Sequence, residues 1–429
     1  MTSFARRLPP AARDLLVVLV PAWLVRVAVI VTWPRSAHSD DLDSWIKVAQ
    51  QLRQGANPYV TTTIVKWPPF AIVVVWTIDH VARAIDASFF TVMRATLIGA
   101  ESAIVIVLYL MLTHFAPRRE VRRLLIVGIS LNPMAILFVC QHENIDVFVA
   151  LFVALALWAL VEYDRSGESV PWLAACLALG LGAFTKTIPL VLAPLIAPGL
   201  RAASKLGRVL GSALFLGPIA LGLSVVYVLA PKAVGDNVFH YRSIGGYFGV
   251  TGLLRLAGHD NLGSVYDRAF TIVLGAVVAA LVVFAWRRGL SMRMTVLLAA
   301  LLMAALPALG PGYGPQYAYW YIPPLIATYV LFDGTWRWIL IGFLAVAAAT
   351  YVVEYAFVDA LGRFLVAFFD ESTLMQRISG RLSTPGAQTI LRLPLFIAFL
   401  VVLTAGGQRF RADARRSRTG RAPRELPHS

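Results

Sequence analysis

Three carboxylates stand within four residues at Asp40-Asp41-Leu42-Asp43. A carboxylate held at an interface can act as general base towards a hydroxyl. The same acids could instead cap a helix over about 42–54 and favour its dipole. The Asp41/Asp43 spacing also suits a divalent cation with a diphosphate. Downstream, Gln141-His142-Glu143-Asn144-Ile145-Asp146 interrupts two apolar runs, with Asn132-Pro133 just before it. Polar groups inside a bilayer are costly, and they default to a functional reading. The plainer reading is a polar turn between helices. His142 and Glu143 could ligate a metal, but no further ligands converge on them in sequence.

Lys186 lies in Thr185-Lys186-Thr187-Ile188-Pro189, between two short apolar segments and with no carboxylate close in sequence. It could snorkel to headgroups or pair with a phosphate. Phe239-His240-Tyr241-Arg242 precedes Gly245-Gly246-Tyr247-Phe248-Gly249. His240 and Arg242 beside a glycine stretch suit an anionic group, although an aromatic-basic interfacial belt has the same composition. Gln316, Tyr317 and Trp320 stand in Gly312-Tyr313-Gly314-Pro315-Gln316-Tyr317-Ala318-Tyr319-Trp320-Tyr321. Such aromatics anchor helices at an interface, and they also stack on sugar rings. No P-loop, dinucleotide, zincin or nucleophile-elbow motif stands in its required context. No cofactor and no metal site is expected.

The elements that must position these residues follow from composition. The chain has 429 residues, of which 59% are hydrophobic and 14% charged, with mean hydropathy +0.72. Soluble chains are about 25% charged. Apolar runs of helix length recur from Leu15 to Thr404, so the expectation is an all-α, polytopic membrane protein. A cytosolic enzyme, a disulfide scaffold and a membrane β-barrel are excluded. Cys140 and Cys176 are too few for a zinc site and lie at opposite ends of their predicted helices.

About twelve spans are expected: 14–33, 92–114, 123–139, 146–162, 171–185, 188–200, 208–230, 269–286, 294–310, 319–332, 337–357 and 389–405. The first follows Arg6, Arg7 and Arg13, lacks a small-residue cleavage site, and reads as an anchor. The stretch 68–85 opens on Pro68-Pro69 and ends at Asp79-His80 and Arg83. Read as a helix dipping into the outer leaflet, it leaves Arg118, Arg119, Arg122 and Arg123 inside. The inside segments then hold 22 of the 38 Lys and Arg residues in 72 positions, and the outside segments hold 13 in 143. This bias has the sign of the positive-inside rule.

The expectation is one transmembrane domain over 1–407, with 34–91 as a long first outer loop. A basic, disordered inner tail is expected at 408–429, and an amphipathic stretch at Phe364–Arg377. Both termini fall in the cytoplasm, and all five constellations fall on the outer face of the cytoplasmic membrane. The net charge of +15 is thereby assigned to topology and not to nucleic acid.

In order, the quoted motifs resemble the GT-C superfamily of membrane glycosyltransferases. They are an acidic pair after the first helix, Gly55-x-x-Pro58-Tyr59, Trp67-Pro68-Pro69, Asn132-Pro133, Gln141-x-x-Asn144-x-Asp146, Lys186-x-x-Pro189, the His240/Arg242 loop and Gln316-Tyr317-x-x-Trp320. The order is similar to that in glycosyltransferase family 87, which includes the mycobacterial phosphatidylinositol-mannoside mannosyltransferase, and to that in the catalytic subunit of GPI mannosyltransferase I. The resemblance implies a GT-C fold and transfer of a hexose, mannose first, from a polyprenyl-phosphate carrier to a glycolipid or glycan hydroxyl with inversion. It implies Asp41 as the base, fourteen residues before Gly55, with Asp40 and Asp43 as alternates. Ser39 stands where eukaryotic relatives carry the first acid of an Asp-x-Asp, which weakens any metal reading. Lys186, Arg242 and His240 are the candidates for the leaving phosphate. Gln141, His142, Asn144, Gln316, Tyr317 and Trp320 are the candidates for sugar or acceptor. A flippase for lipid-linked sugars is the rival reading, and a non-catalytic scaffold using the basic tail is a third.

Overall fold

The structure is a computed structural model, and it describes residues 8–32, 40–62, 65, 67–236, 249–312, 314–353 and 385–418. Every regular element among the described residues is helical. The helices that matter below are α1 Pro10–Thr32, α2 Asp40–Arg53, α3 Pro69–Ala84, α4 Phe89–Leu112, α5 Arg118–Leu125, α6 Pro133–Leu137, α7 Val147–Ser166 and α8 Ser169–Thr185. They continue as α9 Ala193–Ala202, α10 Lys205–Leu229, α11 Gly249–Leu256, α12 Asp260–Arg288, α13 Met292–Leu309, α14 Ile322–Leu331, α15 Thr335–Tyr351 and α16 Pro385–Arg418. Among the described residues, seven are long and apolar enough to cross a membrane, and the pair Arg118–Ser130 and Pro133–His142, bent by 48°, makes an eighth. Shorter apolar helices cover Ser169–Thr185, Ile188–Ala202 and Thr335–Tyr351. The chain is an all-α polytopic membrane protein. Over the described residues every expected span lies on helical chain, but of the twelve expected as full crossings, 171–185, 188–200, 319–332 and 337–357 fall on helices too short to pass the same test.

The last helix runs to Arg418. Residues 408–418, expected as disordered tail, are therefore helical. Residues 419–429 lie outside the described set, as does the stretch Phe364–Arg377.

The chain divides into two compact units: Met1–Ala159 with Glu168–Leu190 and Val209–Tyr241, and Leu160–Gly167 with Val191–Arg208 and Arg242–Ser429. In the first unit α1 and α4 run antiparallel. Tyr109 Oη donates to Asp14 Oδ2 at 2.7 Å, Trp23 Nε1 donates to Ser102 Oγ at 2.9 Å, and Arg26 pairs with Glu101. Rising numbers on α1 thus meet falling numbers on α4. The connection 33–88 therefore leaves and re-enters at one end of the pair, and α3 makes no net crossing. Arg122 reaches Asp14 at 2.9 Å, so α5 lies at the end where α1 begins. This agrees with the dipping helix read from the arginine pattern.

Packing between α8 and α10 uses glycine as a notch. A Cβ on Gly211 would stand 2.2 Å from the Trp172 ring, and one on Gly222 would stand 2.1 Å from Phe184. Helix α3 is clasped to α2 by Asp79, which accepts from Arg53 Nε at 2.9 Å and from Arg83 Nε at 3.1 Å.

In the second unit α13 is the buried centre and packs against α14 and α16, while α9 lies along α12. Tyr321 meets Phe343 and Phe399 edge-on at 5.1 and 4.9 Å, and those two phenyl rings lie tilted at 5.1 Å.

Candidate active site

The polar turn 141–146 is built by a broken span. Pro133 offers no N–H to the carbonyl of Ile129. Met134 N bonds the Asn132 side chain at 2.9 Å and not the carbonyl of Ser130. These two carbonyls receive Arg26, whose Nη1 reaches Ser130 O at 2.8 Å and Nη2 reaches Ile129 O at 3.4 Å. Arg26 also bonds Ala22 O at 3.0 Å and, through Nε, the Glu101 carboxylate. An arginine buried in an apolar helix thus plugs the polar gap that the Asn-Pro break opens.

Beyond the break, the chain takes a wide π-turn over Phe138–His142, closed by Glu143 N on Phe138 O at 3.0 Å. Glu143 then adopts φ 52° and ψ 46°, left-handed backbone that is uncommon for a residue with a Cβ. Its carboxylate is fully buried and accepts from Arg94 Nε at 2.5 Å. Asn144 Oδ1 accepts from Asp146 N at 2.8 Å, which turns the chain into α7. Asp146 Oδ2 accepts from Lys186 Nζ at 2.8 Å.

The two pairs share one pattern. The acids are 0% and 1% exposed in their side chains, whereas Arg94 is 16% and Lys186 is 19% exposed. Each acid is sealed behind its cation. A buried carboxylate cannot stay charged without such a partner, and here both acids come from one six-residue turn. The amide nitrogen of Gln141, in the same turn, is buried without a hydrogen-bond partner among the described residues. Such a donor is costly unless something satisfies it.

Aromatic groups tie the acidic helix to this turn. Trp45, in the second turn of α2, is buried with its ring 4.2 Å from that of Trp67. Tyr59 Oη donates to Trp67 O at 2.8 Å. Burial raises the Tyr59 phenol above its ordinary value, so it remains a donor. Pro68-Pro69 then starts α3 and sends Phe70 edge-on to Phe148 and Phe152 at 5.7 Å and to Phe184 at 5.9 Å. Phe148 lies two residues from Asp146, and Phe184 two residues from Lys186. Aromatic-Pro-Pro is therefore a strut between the acidic loop and the Lys186–Asp146 pair.

Asp40, Asp41 and Asp43 all fall in the first turn of α2, so the helix starts at the acids and not after them. The backbone of Asp40 and Asp41 is described, but their side chains are not. Lys186, Gln141, His142 and Asn144 gather at the 141–146 turn. His142 is buried, with its ring 5.7 Å from that of Phe138. Tyr317 and Trp320 belong to the second unit and stack at 4.2 Å in the 3₁₀ turn Pro315–Tyr321. Nearby, Tyr266 Oη donates to Leu309 O at 2.6 Å, and Thr251 Oγ1 donates to Pro311 O. The backbone of Gln316 is described, but not its side chain. His240, Arg242 and the stretch 245–248 lie outside the described residues.

Sequence reasoning missed Arg94, the carboxylate partners of Lys186 and Arg94, and the Arg26–Glu101 pair. The last carried a readable signal: each is a charge in the middle of an expected span. Arg94 stood near the start of one.

The chain matches the crystal structure of ArnT from Cupriavidus metallidurans bound to undecaprenyl phosphate, with a TM-score of 0.50 and 14% identity. The match covers 93% of this chain and 78% of that one. The fold is that of ArnT. No family model and no curated protein sequence matches the chain.

Proposed function

We propose that the chain is a GT-C glycosyltransferase that moves a hexose, mannose first, from a polyprenyl-phosphate carrier to a hydroxyl of a glycolipid or glycan. The observation that carries this reading is a pair of cations, Lys186 and Arg94, each held outward by a buried acid. They stand in a fold shared with a protein that holds undecaprenyl phosphate.

In the proposed step, Asp41 takes the proton of the acceptor hydroxyl. The acceptor oxygen bonds to the anomeric carbon from the face opposite the phosphate. The carbon–oxygen bond to phosphate breaks, and its electron pair leaves with the polyprenyl phosphate. The products are an inverted glycoside and the lipid phosphate, and the proton passes from Asp41 to water.

Asp41 is preferred to Asp40 and Asp43 because it stands one turn before Trp45, on the helix register that continues through buried Val48 and Ala49. Lys186 compensates charge on the departing phosphate. Asp146 fixes the ammonium in place. Gln141 and His142 supply polar contacts to the sugar or acceptor. The roles of His240 and Arg242 at the phosphate, of Asn144, and of Gln316, Tyr317 and Trp320 at the sugar rest on the motif resemblance. The proposed setting is the cytoplasmic membrane, with chemistry on its outer face and both termini inside.

The test is transfer by the purified protein in nanodiscs, given a panel of polyprenyl-monophosphate sugars with native membrane lipids as acceptor. Glycosylated acceptor formed from one donor, mannosyl by expectation, supports the reading. A donor moved across the bilayer with no glycoside formed would overturn it in favour of a flippase.

A further inference from the structure

Arg94 and Glu101 occupy one face of α4, seven residues and thus about 10 Å apart. Arg94 bonds Glu143 just past the bent segment, whereas Glu101 bonds Arg26, whose guanidinium reaches that segment at Ile129 and Ser130; both thus sit in arginine–glutamate pairs. Their surroundings differ. Arg26, the partner of Glu101, spends its guanidinium on Glu101 and on the carbonyls of Ala22, Ile129 and Ser130. Arg94 bonds Glu143 through Nε, and among the described residues it makes no other hydrogen bond. Its two terminal amines are thus left for something that is not this part of the chain. A guanidinium fixed at Nε presents those amines as a planar fork, which matches two oxygens of a phosphate. The unpartnered amide nitrogen of Gln141 lies in the turn that holds Glu143.

We propose that Arg94 is a binding residue for a lipid-linked phosphate, with Glu143 as the positioning residue that aims it. This rests on the polyprenyl-phosphate reading above and adds a residue that the sequence motifs do not assign. The left-handed backbone at Glu143 then has a purpose. It brings a carboxylate from the end of the π-turn back beneath α4, so that the arginine fork is aimed by a group that water cannot reach.

The test is direct binding of undecaprenyl phosphate to the purified protein by native mass spectrometry, with phosphatidylglycerol as competitor. Removing Arg94 alone strands a buried acid, so the main variant is Arg94→Gln/Glu143→Gln, in which both charges go together. Arg94→Lys keeps the charge and loses the fork. Arg165→Gln, at an exposed pair with Glu162, is the control. Wild type and the control are expected to bind alike. The double variant is expected to bind roughly 10- to 100-fold more weakly, the range for a lost charged hydrogen bond, and Arg94→Lys roughly 10-fold more weakly. Phosphatidylglycerol in equal amount is expected not to displace the carrier.

Wild type that fails to bind undecaprenyl phosphate would sink the functional reading itself. Wild type that binds, with both Arg94 variants binding equally well, would overturn the Arg94 assignment alone. If the double variant fails to fold, unchanged affinity in Arg94→Lys suffices to overturn it. Displacement by phosphatidylglycerol would make the site a general anionic-lipid contact and contradict the proposal.

Discussion

Two kinds of ion pair stand in the first unit, and they differ in what lies on the cation's far side. Arg26–Glu101 is closed: the guanidinium is buried and its remaining donors go to backbone carbonyls. Arg94–Glu143 and Lys186–Asp146 are open: the acid is sealed and the cation is partly exposed. A charge in an apolar helix therefore has two meanings. In the closed pair it repairs the backbone, because the Asn132 cap takes Met134 N and leaves the Ser130 carbonyl to Arg26, while Ile129 O keeps only a 3.3 Å bond from Asn132 N beside it. In the open pairs, on the proposed reading, it offers a positive group to a phosphate.

The largest effect is expected at the closed pair. Arg26→Gln leaves a buried acid and takes the charged donor from the Ser130 carbonyl. It should cost roughly 3–5 kcal/mol, the range for breaking a buried pair. Reduced thermal stability in detergent and poor yield are the readout. Arg26→Gln/Glu101→Gln should stay well below wild type, because the carbonyls of Ile129 and Ser130 still lose their charged donor. Full recovery in the double variant would make the two kinds of pair alike.

The open pair gives the converse. Lys186→Gln/Asp146→Asn should melt near wild type and lower kcat/KM for the donor roughly 10- to 100-fold, from the loss of a charge-assisted contact. A large loss of stability with kcat/KM unchanged in the surviving protein would place Lys186 with the closed class.

The smallest effect concerns the clasp between the acidic helix and α3. The hydrogen bond from Arg53 holds the Asp79 carboxyl below its ordinary value of 3.8, against the opposing cost of burial. A depressed acid stabilises the fold fully above its unfolded value, and the gain is lost as pH falls through the lower folded value. Limited proteolysis of the first loop should therefore change little from pH 7 to about pH 5 and accelerate below about pH 4. Asp79→Asn should remove that acid limb. Because Arg53 and Arg83 are half exposed, added salt should weaken the clasp. An acid limb that survives in Asp79→Asn would assign it to other carboxylates.

Much of the fold was legible because apolar length is a local property. Over the described residues each expected span, including the short 171–185 and 188–200, lies on a helical segment, and the arginines at 118–123 correctly left the helix after Trp67-Pro68-Pro69 without a crossing. The acids of the first loop were visible as a cluster, but the start of their helix was misjudged by two residues, since Asp40 opens the helix that was expected from about 42. Lys186 was visible without its partner, because Asp146 lies 40 residues away and is joined to it by folding alone. Arg94 was illegible for the same reason: its meaning depends on Glu143 taking a left-handed backbone, which no local residue preference favours. The extension of α16 to Arg418 was missed because an arginine-rich stretch reads as solvated chain, although a preceding apolar helix can carry it onward.

The proposed base is an acid in the first turn of α2, beside a phosphate held by cations. It is tested most directly by comparing wild type with Asp41→Asn in transfer from polyprenyl-phosphate mannose, alongside undecaprenyl phosphate binding by the same preparations. Transfer that falls by roughly 10²- to 10⁴-fold, the range for a lost general base, with binding kept, is the predicted result. Transfer that stays intact in Asp41→Asn would contradict the account.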